Sequence, residues 1–94
     1  MLPIAVFKVS DKSMEPSLKE NDYLIMLRTR KFRVGDTIVL VHPYKDFKIV
    51  KRVSGVSKKE CFVTGDNKNV SEDSRSFGAV SLDNVIGRIL FKVG

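Results

Sequence analysis

Cysteine, histidine and tryptophan are almost missing from this sequence of 94 residues, which has one cysteine, one histidine and no tryptophan. A lone thiol excludes an internal disulfide framework, and Cys61 lies in an apolar run where a core residue is expected. No metal or other cofactor is expected. His42 is followed by Pro43, which predicts a turn and a surface position for the imidazole. Long apolar runs are absent too: nothing approaches the roughly 18 residues of a membrane span, and residues 1–9 are too short for a signal peptide. The expectation is a soluble chain, cytoplasmic or peripheral to a membrane. No segment longer than about ten residues holds a helical apolar period, so helix should be scarce, with one turn over residues 14–18. There is no repeat, low-complexity tract or linker, and the length suits a single domain over residues 1–94.

What is present is a series of short apolar runs of strand length, over residues 4–9, 23–27, 37–41, 47–53, 61–64 and 85–93, rich in Val, Ile and Phe. Between them stand turn formers, among them Pro16, Asn21-Asp22, Gly35-Asp36, Gly55, Gly65-Asp66-Asn67 and Gly78. The predicted fold is all-β, a small partly open barrel or sandwich of about six or more short strands. The formal net charge of +6 would suit nucleic acid, an anionic membrane surface or an acidic partner. The basic residues are scattered, however, with a short run at Arg28, Arg30, Lys31 and Arg33 and a Lys58-Lys59 pair, and they lack interleaved aromatics. They read as solvated surface, and no nucleic-acid partner is expected.

Strand alternation picks out one residue. Over residues 47–53, Phe47, Ile49, Lys51 and Val53 share a face, opposite Lys48, Val50 and Arg52. Lys51 is the charged member of an apolar row, and desolvation there lowers a lysine pKa. The alternative is a stem lying on apolar surface with its ammonium snorkelling to water. A neutral lysine amine suits the work of a general base for a serine hydroxyl. Ser13 is a serine at a bend, because Ser13-Met14-Glu15-Pro16 follows the first strand and Pro16 enforces a turn. A serine before a turn also serves commonly as a cap or loop residue.

Taken in order, several segments resemble the signal peptidase I and LexA-type superfamily of Ser/Lys peptidases, from about Val9 to Val93. They are Ser13-Met14-Glu15-Pro16-Ser17-Leu18 with Asn21-Asp22, Val34-Gly35-Asp36-Thr37-Ile38-Val39, and Val50-Lys51-Arg52-Val53 with Gly55. Gly65-Asp66-Asn67, Ser71-Glu72-Asp73-Ser74-Arg75, Gly78 and Ile86-Gly87-Arg88 complete the series. The resemblance implies Ser13 as nucleophile, Lys51 as general base, Ser71 as the serine that orients the lysine, and Asp73 and Arg75 as the bracing pair. It implies an oxyanion hole at the Ser13 N–H with a second donor near Asp11, whose carboxylate cannot donate but whose backbone N–H can. Met14, Ile49 and Val50 are the implied substrate contacts. The substrate would be a signal peptide or an N-terminal propeptide, cut after small residues.

Within the superfamily, lysine rather than histidine at position 51 separates the chain from the endoplasmic-reticulum branch. The loops at 65–67 and 71–75 resemble signal-peptidase types rather than LexA, and no helix-turn-helix accompanies them. Nine residues between Gly55 and Gly65 leave no room for the large β insert of many bacterial signal peptidases. With no anchor segment before Ser13, the chain resembles the compact branch typified by nickel-type superoxide dismutase maturation proteases. Two other functions compete with proteolysis: a degenerate peptidase fold serving as an interaction module, and a basic β-barrel binding nucleic acid.

Overall fold

The computed structural model describes residues 3–94. Seven strands form, all paired antiparallel in one sheet that curls into a half-barrel: β1 (Ile4–Lys8), β2 (Tyr23–Leu27), β3 (Thr37–Val41), β4 (Lys48–Val56), β5 (Glu60–Thr64), β6 (Val80–Ser81) and β7 (Val85–Lys92). Their order across the sheet is β1-β2-β7-β3-β4-β5-β6. The all-β prediction holds, and each of the six predicted strands is present. The strand the sequence did not reveal is β6, two residues long and too short to carry an alternation signal. Among the described residues helix is confined to α1 (Ser74–Phe77), capped by the Asp73 side chain, and a 3₁₀ turn over Leu82–Asn84. The turn expected at 14–18 is a single backbone hydrogen bond, Leu18 N–H to the Met14 carbonyl at 3.0 Å, within a run of turns.

The central strand shows why the sheet has two cores. β3 reads Thr-Ile-Val-Leu-Val and is apolar at successive positions because both of its faces are covered. Ile38 and Leu40 join Ile49, Val53, Cys61, Val63, Val80 and Val85 on one side. Val39 joins Val9, Met14, Leu24, Met26 and Val50 on the other. In register, Ile38 stands opposite Lys51 and Leu40 opposite Ile49, so the row predicted from alternation is real and Lys51 is set among apolar neighbours. Cys61 is buried in that core, as expected.

β4 turns into β5 through residues 57–59, closed by the Ser57 N–H to Glu60 carbonyl bond at 2.8 Å. Arg28, Arg30, Lys31, Arg33, Lys58 and Lys59 are all exposed. No helix among the described residues is long and apolar enough to cross a membrane.

Candidate active site

The loop between β1 and β2 carries Ser13, and its shape is set from below. Met14 is fully buried in the core and acts as the loop's anchor. The loop's ends are tied by the Val9 N–H to Asp22 carbonyl bond at 2.9 Å and the Asn21 N–H to Val9 carbonyl bond at 2.8 Å. From the other side Asn67 clamps it: its N–H donates to the Ser13 carbonyl at 2.8 Å and its Nδ2 to the Lys12 carbonyl at 3.1 Å. This is what the Gly65-Asp66-Asn67 segment does structurally. Asp66 is held in turn by two bonds from the Arg52 guanidinium, at 2.9 and 2.8 Å, and accepts the Ser17 hydroxyl at 2.6 Å. The Arg52 bonds are also the foremost reason the Asp66 carboxyl sits below its ordinary range.

Lys51 projects from β4 and is only 2 % exposed. Its Nζ donates to Ser71 Oγ at 3.0 Å, and Ser71 Oγ donates to Asp73 Oδ2 at 2.7 Å. Burial pushes the Lys51 amine below the ordinary lysine range, opposed by the charges of Asp11, Asp73 and Glu72. Asp73, itself buried, accepts from the Gly65 N–H at 2.9 Å and from the Arg75 guanidinium at 2.9 and 2.8 Å. Burial works against the Asp73 charge, but the bonds from Arg75, Gly65 and Ser71 outweigh it and hold the carboxyl well below the usual range. Asp73 is therefore an anionic acceptor that fixes the Ser71 hydroxyl proton, leaving the oxygen lone pairs of Ser71 for Lys51. Gly65 is required by close approach: a Cβ there would run into the Ser71 side chain and lie 2.6 Å from the Ser13 carbonyl oxygen.

Ser13, 4 % exposed, and Lys51 line the same cleft of about 440 Å³. Its other walls include Asp11, His42, Phe47, Ile49, Val70 and Glu72. Within it the Asp11 carboxylate accepts both the Ser13 N–H, at 3.0 Å, and the Ser13 hydroxyl, at 2.8 Å, on the same oxygen. This is an Asx-type local turn, and it occupies the N–H expected in the oxyanion hole. Of the three expected substrate contacts, Ile49 lines the cleft, while Met14 and Val50 are packed in the second core. Among the described residues no three His, Cys, Asp or Glu side chains gather as a metal site would require.

His42 is not the surface residue its proline neighbour suggested. It is 4 % exposed, with its ring 5.0 Å from that of Phe77 and 5.3 Å from that of Phe47. Its Nε2 meets Glu72 Oε1 at 2.6 Å. The signal was in the strand period: Ile38, Leu40 and His42 alternate on one face, and that period outranks the following proline.

A sequence model of the family described as signal peptidase, peptidase S26, matches residues 1–58 and 54–93. The chain belongs to that family. Signal peptidase IB of Staphylococcus aureus is 33 % identical over 75 residues, which is 79 % of this chain and 39 % of that protein, in strains Mu50, N315 and MW2 alike. The chain therefore spans about two fifths of the length of these curated relatives. Membership in the signal peptidase family agrees with the resemblance read from the motifs.

Proposed function

We propose that the chain is the core of a serine endopeptidase in which Ser13 is the nucleophile and Lys51 the general base. The observation that carries this reading is a lysine 2 % exposed, lowered in pKa by burial, and held by a serine–aspartate relay in the cleft that Ser13 lines. A solvated lysine would be protonated at neutral pH and useless as a base.

The steps follow from the contacts. An extended peptide pairs with backbone near Ser13 and β4 and presents its carbonyl to Ser13 Oγ. The Ser13 hydroxyl turns from Asp11 to the neutral Lys51 amine, gives up its proton and attacks. The oxyanion takes the Ser13 N–H in place of the Asp11 carboxylate, with the Asp11 backbone N–H as second donor. Lysine then protonates the leaving amine, and water attacks the acyl-enzyme by the same route. Ser71, Asp73 and Arg75 keep the amine aimed throughout. An apolar cleft wall of Phe47, Ile49 and Val70 suits small uncharged side chains before the cut, as in a signal peptide or N-terminal propeptide.

The test is incubation with a peptide library containing small residues at the first and third positions before the cut, at about pH 9, where a lowered lysine holds its proton less than an ordinary one, with products read by mass spectrometry. Ser13→Ala and Lys51→Ala should abolish cleavage with the circular dichroism unchanged; wild-type rates in either would sink the dyad. A second reading, a peptidase fold kept as a peptide-binding module, draws on the Asp11 contact that engages both donors of Ser13. Peptide binding without any cutting would favour it.

A further inference from the structure

The dyad and its braces leave the buried imidazole of His42 without a role. His42 directly follows β3, and its backbone N–H donates to the Phe47 carbonyl at 2.9 Å, closing the corner into β4. Its Nδ1 accepts the Tyr44 backbone N–H at 3.0 Å. A backbone amide can only donate, so Nδ1 is the acceptor and the ring N–H lies on Nε2. That proton is donated to Glu72 Oε1, and Lys45 Nζ approaches both oxygens of Glu72 at 3.2 and 3.3 Å.

Glu72 lies between two members of the relay. Three consecutive side chains are thus tied to three different parts of the fold: Ser71 to Lys51 on β4, Glu72 to His42 just after β3, and Asp73 to Gly65 after β5. Residues 66–73 contain no strand or helix, so their placement depends on such ties. Asp73 fixes the segment on the β5 side, and His42 fixes it on the β3–β4 side, where Lys51 enters.

We propose that His42 is a positioning residue that acts through Glu72 to set Ser71 against Lys51, with the fixed Nε2–H tautomer as its working form. The assignment rests on the Ser/Lys reading for its effect on turnover, but the placement of Ser71 can be read without turnover. Three substitutions separate the bonds. His42→Gln keeps a donor in reach of Glu72, His42→Asn keeps the acceptor for Tyr44 but loses that donor, and Glu72→Ala removes the acceptor from an exposed site where misfolding is not expected.

The titration of Lys51, followed by NMR of its side chain, should shift in His42→Asn and stay near the parent in His42→Gln; in Glu72→Ala it also shifts through loss of a charge that holds a proton on Lys51. In the Glu72→Ala background, His42→Asn should add no further shift. On a cleaved peptide, His42→Asn and Glu72→Ala should lower kcat about tenfold with KM little changed, the worth of one charge-assisted hydrogen bond. A parent that does not cleave, with the same pattern in the Lys51 titration, would refute the catalytic reading and leave the positioning intact. An unmoved Lys51 titration, additive effects in the double variant, or equal behaviour of His42→Gln and His42→Asn would overturn the assignment.

Discussion

Replacing Lys51 with methionine should abolish catalysis and stabilise the protein. The ammonium is 2 % exposed, and taking an ion of this kind out of water costs several kcal/mol even after relaxation. The Ser71 hydrogen bond and the charges of Asp11, Asp73 and Glu72 return part of that. Methionine keeps a straight stem of similar volume among Ile38, Ile49 and Val53. Ser71 keeps Asp73 as its acceptor, so the substitution leaves no buried donor unpaired. The expected gain near pH 7 is about 1–2 kcal/mol, or roughly 5–15 °C in melting temperature for a domain of this size. The gain must depend on pH. Between its lowered folded pKa and the ordinary value of 10.5, Lys51 binds fewer protons in the folded chain than in the unfolded one, so parent stability rises with pH across that window. The methionine variant lacks this rise, and its advantage should shrink as pH approaches 10.5. Thermal melts by circular dichroism at about pH 7 and about pH 10 measure both quantities. A variant less stable than the parent at the lower pH, or an advantage that grows with pH, would refute the account of Lys51 as a penalised buried amine.

Two further substitutions probe the neighbours of the proposed dyad. Asp11→Asn removes the foremost of the charges that hold a proton on Lys51, so the acid limb of the pH–activity profile should move to lower pH; an upward shift would contradict it. Gly65→Ala should cost about 1–3 kcal/mol of stability through overpacking, and cleavage should fall about a hundredfold through displacement of Ser71 and the Ser13 loop. Parent-like cleavage by Gly65→Ala would show that this close approach does not set the site.

The fold was legible because its strands are short and patterned. Alternation put Lys51 on the Ile49 and Val53 face, and the register confirms that placement. Ser13 was not distinguishable by pattern, since a serine before a prolyl turn is common; the order of the motifs singled it out. Alternation was also available at His42, two residues beyond Leu40, and was masked there by Pro43. Met14 and Val50 were expected at the substrate and lie in the core, because sequence adjacency to Ser13 and Lys51 does not give a shared face: successive strand residues point opposite ways, and Met14 turns inward to anchor its loop. The link from Glu72 to His42 spans 30 positions, a separation at which local pattern carries no information.

Charge argues about the kind of chain this cleft can hold. The molecule carries a net +6, and a phosphate backbone would seek a groove in which that charge is gathered. Here the exposed basic run at Arg28, Arg30, Lys31 and Arg33 lies outside the cleft, whose lining instead brings Asp11, Glu20 and Glu72 together with Lys12 and Lys51. The three carboxylates of the lining outnumber its two lysines, and a polyanion entering beside Ser13 would meet repulsion where it needs attraction. An extended peptide meets no such barrier. Its backbone is neutral, and Phe47, Ile49 and Val70 offer its side chains an apolar wall. The basic exterior is solvated surface, and it is the cleft that bears on function.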